Sequence, residues 1–356
     1  MHEKNRENGM ALYAFDGTGN KWNGDLEVEA ATKSFNGRYH SNVVKFTQRY
    51  VLADTSQTYH YYSGVATNGG KLGYLTGGFL GTGASRRVRK AFKHLKANFQ
   101  KGEYSIVVVG YSRGAATARI FLDKIEKDYT KIQDSSGNKL TRPPTVQFVG
   151  LFDTVASFGL PFNDYEWKFK NVIPENVDYA VHAMALDVVK AGFALDRAYG
   201  NNVLEIWFRG GHGDIGGTST DADGDPNIGR GDIALSVVVK KAKACGVLID
   251  GDSFEANVES AVLQQFNITS GKTVDSRKVK RDDVIHYSVY ELSGPEYLRQ
   301  RGLPTKDSAV IEEQFNETEK SWGVKLNMTP KQKDEFEVRE IYNKLNEKET
   351  TTEMAD

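Results

Sequence analysis

Residues 104–129 read YSIVVVGYSRGAATARIFLDKIEKDY and constrain this chain more than any other stretch. Tyr104–Gly110 is apolar without interruption, as a strand covered on both faces of a parallel sheet has to be. Ala115–Tyr129 is helical in pattern. Gly110-Tyr111-Ser112-Arg113-Gly114 must therefore bend the chain from strand to helix within a few residues. That is the G-x-S-x-G arrangement of a nucleophile elbow, in which small neighbours let a serine stand at the carboxyl end of a sheet. The helix start adds partial positive charge and a backbone N–H, here from Arg113, for a developing oxyanion.

The surrounding pattern repeats the same alternation. Met10–Phe15 reads as a strand running into Asp16-Gly17-Thr18-Gly19-Asn20, and Asn42–Val51 as a helix. Thr58–Val65 reads as a strand, residues 67–83 as a glycine-rich irregular stretch, and 85–100 as a basic helix. Thr145–Phe152 and Val203–Phe208 read as buried strands, 178–190 and 232–246 as helices, and 218–232 as an Asp-rich loop. This alternation predicts an α/β fold, α/β-hydrolase-like, with a mostly parallel central sheet flanked by helices. The expected organisation is a flexible tail at 1–9, one domain over 10–329, and a charged C-terminal helix or tail at 330–356.

A serine hydroxyl needs an imidazole to take its proton and a carboxylate to hold that imidazole. Both belong at carboxyl ends of later strands, in the order Ser, Asp, His. Asp153 directly follows the strand ending Leu151-Phe152, and His212 follows Trp207-Phe208 within a glycine-flanked loop. Of the 7 histidines, His286 also ends a late apolar run and is the rival base. His182 and Asp187 fall in the expected 178–190 helix, where a carboxylate is usually solvated. Asp214 is the rival carboxylate, or else orients the loop or the substrate. Gly17 and Thr18 suit a second oxyanion donor, because glycine lets the backbone come close.

Composition narrows the partners. Lys plus Arg number 46 and Asp plus Glu 47, a balance that removes the bulk positive field of a nucleic-acid binder. The single Cys245 excludes an intrachain disulfide framework. The opening MHEKNRENG lacks the apolar stretch of a secretory signal, so the chain is expected to be cytoplasmic as synthesised. Asp221, Asp223, Asp225 and Asp232 are spaced as in a calcium loop, although Pro226 stands where that loop has glycine. The basic run Arg86, Arg87, Arg89, Lys90, Lys93, Lys96 is either a solvated face or a peripheral membrane contact with anionic headgroups.

FDGTGN (15–20), YYSGVAT (61–67), GYSRGAATAR (110–119), GLFDTVASFG (150–159), HAMALD (182–187), WFRGGHGDIGG (207–217) and IHYSV (285–289) occur in that order. With them the chain resembles the family of α/β hydrolases that contains the type VI secretion lipase effectors. Gly213 departs from that family, which usually has serine there. The resemblance implies an α/β-hydrolase fold and ester hydrolysis, with phospholipase A activity among the effectors. It carries the nucleophile onto Ser112 and the acid and base onto Asp153 and His212, and marks the position of His286 as recurrent. It further implies secretion into a target cell, and a secretion machine or immunity protein as partner. The expected function is therefore a serine hydrolase acting on lipid through an acyl-enzyme, a chemistry that requires no metal or organic cofactor. The alternatives are a soluble cytoplasmic esterase on small esters and a catalytically silent binding protein of the same fold.

Overall fold

The computed structural model describes residues 9–22, 24, 40–65, 77–156, 170–188, 193–219, 230–250, 277–280, 283–286, 288–291, 293, 295–301, 303, 315–316 and 321–322. In chain order these form β1 (Met10–Phe15), α1 (Asn42–Ala53), β2 (Thr58–Tyr62), α2 (Gly77–Gln100), β3 (Ser105–Tyr111) and α3 (Arg113–Asp128). They continue with β4 (Val146–Phe152), β5 (Ala180–Ala185), β6 (Val203–Phe208), α4 (His212–Ile215), α5 (Arg230–Ala244) and β7 (Val284–His286). The short elements α6 (Ser288–Glu291), α7 (Pro295–Gln300), β8 (Phe315–Asn316) and β9 (Ser321–Trp322) follow. The sheet order is β2-β1-β3-β4-β5-β6-β7-β9-β8. Strands β1 to β7 pair in parallel, and β9 and β8 add an antiparallel edge.

This order sets where a site can form. From β1 the chain goes through α1 to β2 on one side, then returns through α2 to β3 on the other. Where successive connections leave in opposite directions, the carboxyl ends of two neighbouring strands open a crevice. The turn after β1 and the bend after β3 lie at that point.

Each face of the sheet buries its own apolar cluster. Val43, Phe46 and Tyr50 of α1 and Ile233, Leu235 and Val238 of α5 pack with Leu12, Val107 and Val109. On the opposite face Val88, Leu95 and Phe99 of α2 and Phe121 and Ile125 of α3 meet Tyr13, Val108 and Val149. The alternation of Val107, Val108 and Val109 between these clusters is the two-residue side-chain period of a strand buried on both faces. Ser41 caps α1 by accepting the Val44 N–H at 3.3 Å.

Two expectations are corrected. Residues 180–185 are a strand, not a helix: AVHAMA is buried at every position and hydrogen-bonded between β4 and β6. A short apolar run looks the same to a helical or a strand reading, and the flanking strands decide. His182 thus lies inside the sheet, and Asp187 follows the strand. The glycines at 77, 78, 81 and 83 lie within α2, so the basic helix starts earlier than its glycine-rich beginning implies. The tail at 1–8, the segment 330–356, and Asp221, Asp223 and Asp225 lie outside the described residues.

Against the β2 edge, the His60 and His94 rings meet at a tilt with centroids 4.2 Å apart, and Asn98 Nδ2 donates to His60 Nε2 at 2.9 Å. Burial, helped by His94, pushes His60 down to about 4. An imidazole held neutral in the folded state binds no proton between about 6.5 and 4, whereas the unfolded chain does, so its contribution to stability is lost as pH falls through that window. Thermal melts should show a smaller drop in Tm from pH 7 to pH 4.5 in His60→Gln than in the native protein. An equal drop would show that His60 does not contribute.

Candidate active site

Ser112 lies between β3 and α3 with φ 57° and ψ −126°. A non-glycine residue at positive φ costs energy and persists only where its surroundings hold it. Here Ser112 N–H donates to Phe152 O at 3.0 Å, and Ser112 O accepts from Ala116 N–H at 3.2 Å. The flanking glycines let these segments approach. A Cβ on Gly110 would sit 2.7 Å from Ala115 Cα, and one on Gly114 would collide with the carbonyl oxygens of Phe15 and Asp16. The elbow is thereby packed directly on the end of β1.

Asp153 and His212 converge on this serine. His212 Nε2 is 2.8 Å from Ser112 Oγ, and His212 Nδ1 is 2.6 Å from Asp153 Oδ2. Asp153 is wholly buried and has φ 43°. Its N–H donates to Ala183 O, and its Oδ1 accepts from Ala185 N–H, so β5 fixes its direction. Burial alone would push this carboxyl up. The Arg277 guanidinium and His212 more than offset that and hold it well below the usual carboxylate range. With Asp153 ionised, His212 Nδ1–H is the donor to it, which leaves Nε2 to accept the serine hydroxyl proton.

The loop carrying His212 is held on several sides. Asp214 Oδ2 accepts the Gly211 N–H at 2.6 Å, so this carboxylate caps the turn. Asp187 Oδ2 accepts the Gly210 N–H at 2.8 Å, and its Oδ1 accepts from Tyr297 Oη and Arg301. Asn42 Nδ2 donates to Ile215 O and Gly231 O. The His212 ring lies between Tyr111 and Phe193, each with its ring centroid 4.9 Å away. Tyr111 Oη also donates to His212 O. At Gly213, a Cβ would lie 2.5 Å from Ser219 Oγ.

In the turn after β1, one of the two expected donors is already engaged. Gly17 N–H is taken by Asp16 Oδ1 at 2.7 Å. Asp16 is also bonded by Asn20 Nδ2 and by Tyr61 Oη at 2.6 Å, and burial raises its carboxyl despite these bonds. Thr18 Oγ1 is buried with no partner among the described residues. Arg113 is the first residue of α3, so its N–H opens the helix beside Ser112.

The remaining sequence candidates lie elsewhere. His286 Nδ1 is 2.8 Å from Ser288 Oγ, and its ring stacks on Phe208, while the Ser112 hydroxyl is met by His212. Asp232 pairs with Lys45 Nζ at 2.9 Å.

Two contributors are not singled out for the site by the sequence. Arg277 sits in the run Arg277-Lys278-Val279-Lys280, which reads as a solvated basic stretch, yet Arg277 is buried against Asp153. His182 Nε2 accepts the Thr154 N–H at 3.1 Å, and its Nδ1 faces Glu205 Oε1 at 2.9 Å. It therefore braces the residue after Asp153, a role hidden while 178–190 is taken for a helix.

A largely parallel sheet flanked by helices, with a serine at the strand–helix bend beside its topological switch, makes this an α/β fold of the α/β-hydrolase-like kind. The family described as "T6SS, Phospholipase effector Tle1-like, catalytic domain" matches residues 12–128 and 122–241. Those stretches cover more than half of the 356 residues, and the chain belongs to this family. Among solved structures, an uncharacterized protein from Pseudomonas aeruginosa is similar at 17% identity and TM-score 0.50, over 70% of this chain and 48% of that one. The Tle1 effector bound to the VgrG spike of the type VI secretion system is similar at 21% identity and TM-score 0.42, over 60% of this chain and 52% of that one. The matches thus span about half the length of each of these two proteins. No curated protein matches the sequence.

Gly114→Ala should be destabilised by about 3 kcal/mol, since its methyl group has to displace β1 carbonyls rather than a flexible side chain. Urea unfolding measures this. An unchanged midpoint would mean that the elbow is not packed on β1.

Proposed function

We propose that this protein is a serine hydrolase that cleaves carboxylic esters of phospholipid through an acyl-enzyme. The observation that carries the reading is the single imidazole shared between Ser112 Oγ and buried Asp153, at 2.8 and 2.6 Å. Ser112 Oγ attacks the ester carbonyl as His212 Nε2 takes its proton, and Asp153 holds the imidazole and balances the imidazolium that forms. The oxyanion is received by the N–H of Arg113 at the start of α3 and by the turn after β1. Within that turn Thr18 supplies the donor, because the Gly17 N–H is engaged by Asp16. His212 returns its proton to the leaving alcohol, and water, activated by the same imidazole, releases the acyl group.

Lipid as substrate rests on membership of a phospholipase effector family. The outer face of α2 is consistent with it. Arg86, Arg89, Lys90 and Lys93 are exposed, and the helix contains no acidic residue. Arg87 donates to Ser63 O and Gly64 O, which ties this helix to the turn after β2 at the site's end of the sheet. Anionic headgroups are attracted to such a face by roughly 1 kcal/mol per basic side chain near the surface. Family membership likewise suggests delivery by a type VI secretion machine into a target cell. No helix among the described residues is long and apolar enough to cross a membrane.

The test is fatty-acid release from liposomes of mixed bacterial phospholipids, with a short soluble ester run in parallel. The native protein should release acyl chains, and Ser112→Ala should lose the activity by about a thousandfold or more. Undiminished release by the variant would overturn the nucleophile. Turnover of the soluble ester alone would overturn lipid as the substrate.

A further inference from the structure

Arg277 meets Asp153 as a two-pronged fork inside the protein. Its Nη1 donates to Asp153 Oδ1 at 2.8 Å and its Nη2 to Oδ2 at 2.9 Å. The same guanidinium donates to Ala185 O at 2.9 Å and to Phe193 O at 3.0 Å. Both side chains of the pair have 0% exposure. Arginine keeps its charge in such surroundings and matches a carboxylate with two parallel bonds. Asp153 Oδ2 is therefore shared between His212 Nδ1 and Arg277 Nη2, and Phe193, whose carbonyl Arg277 holds, rests its ring edge-on against His212.

We propose that Arg277 is a positioning residue for the Ser112–His212–Asp153 relay, fixing the carboxylate toward the imidazole and spending part of its charge before reaction begins. The proposal rests on the serine-hydrolase reading above. A carboxylate facing an imidazole alone stabilises the imidazolium strongly. One already forked by a guanidinium does so less. Among the described residues, the other charged or titratable groups near His212 are Asp214 in its own turn, Tyr111, and Asp16 behind Tyr111. None of these is altered by changing residue 277.

The experiment is a pH profile of kcat/KM on a short soluble ester, with rates normalised to the serine titrated by a fluorophosphonate. Arg277→Gln, which removes the charge, should move the acid limb up by about one pH unit. Arg277→Lys, which keeps the charge but not the fork, should leave the limb in place. It should lower kcat by about tenfold with KM little changed, since a displaced relay costs rate rather than binding. If Arg277→Gln fails to fold, Arg277→Lys carries the test. A merely structural role would lower the titratable fraction without moving either quantity per active serine, and that result would overturn the proposal. Activity retained in Ser112→Ala would instead overturn the hydrolase reading on which it stands.

Discussion

A carboxylate with no exposed surface is the constraint around which this end of the protein is organised. Moving an ionised group out of water is costly unless charge and hydrogen bonds replace the lost hydration. At Asp153 that replacement comes from distant parts of the chain: the Ala185 N–H of β5, His212 from the loop after β6, and Arg277 from just before β7. Each group is brought there by a parallel strand, so the sheet and the electrostatics of the site are one problem. Removing any one of these groups leaves the others beside a charge that lacks its full set of partners.

The serine is governed by a different kind of constraint, which is steric. Ser112 holds an uncommon backbone conformation because its N–H is tied to β4 and the glycine behind it is pressed on β1. Strain at one residue is sustained by three strands. The loop with His212 is softer in composition, rich in glycine, and is held instead by polar side chains: Asp187, Asp214 and Asn42. Rigid placement of the serine and many-sided bracing of the histidine loop are complementary ways to keep a hydroxyl and an imidazole within hydrogen-bond distance.

Around this core a second polar network braces the same strand ends. His182 joins Thr154 to Glu205, and Arg197 joins Glu205 to Asp283, which also accepts from Trp207 Nε1. The network runs from β4 through β5 and β6 to the start of β7. Its side chains His182, Glu205, Arg197, Asp283 and Trp207 lie inside or beside the sheet and each is hydrogen-bonded within the network, as groups buried there need to be. It links the apolar edge cluster of Trp207, Ile285 and Tyr297 to the segment that bears Asp153.

What could be read without coordinates was whatever is local in sequence. The VVV strand, the glycine-flanked Ser112, and Asp153 and His212 at strand ends follow from patterns a few residues long, and the parallel sheet follows from their alternation. The short run 180–185 reads as helix from sequence because five apolar residues around one histidine have no distinguishing period until β4 and β6 flank them. Which of His212 and His286 comes beside Ser112 depends on where the strands sit in the sheet: β6 brings His212 to 2.8 Å from the hydroxyl, while His286, on β7, meets Ser288. The Gly17 N–H was turned away by a carboxylate one residue earlier, a matter of dihedral angles. Arg277 was the least legible of all: followed in sequence by Lys278 and Lys280, it gains its meaning only where folding takes it out of water and sets it against a buried charge. Patterns of neighbours encode elements; pairing across 124 residues is decided by packing.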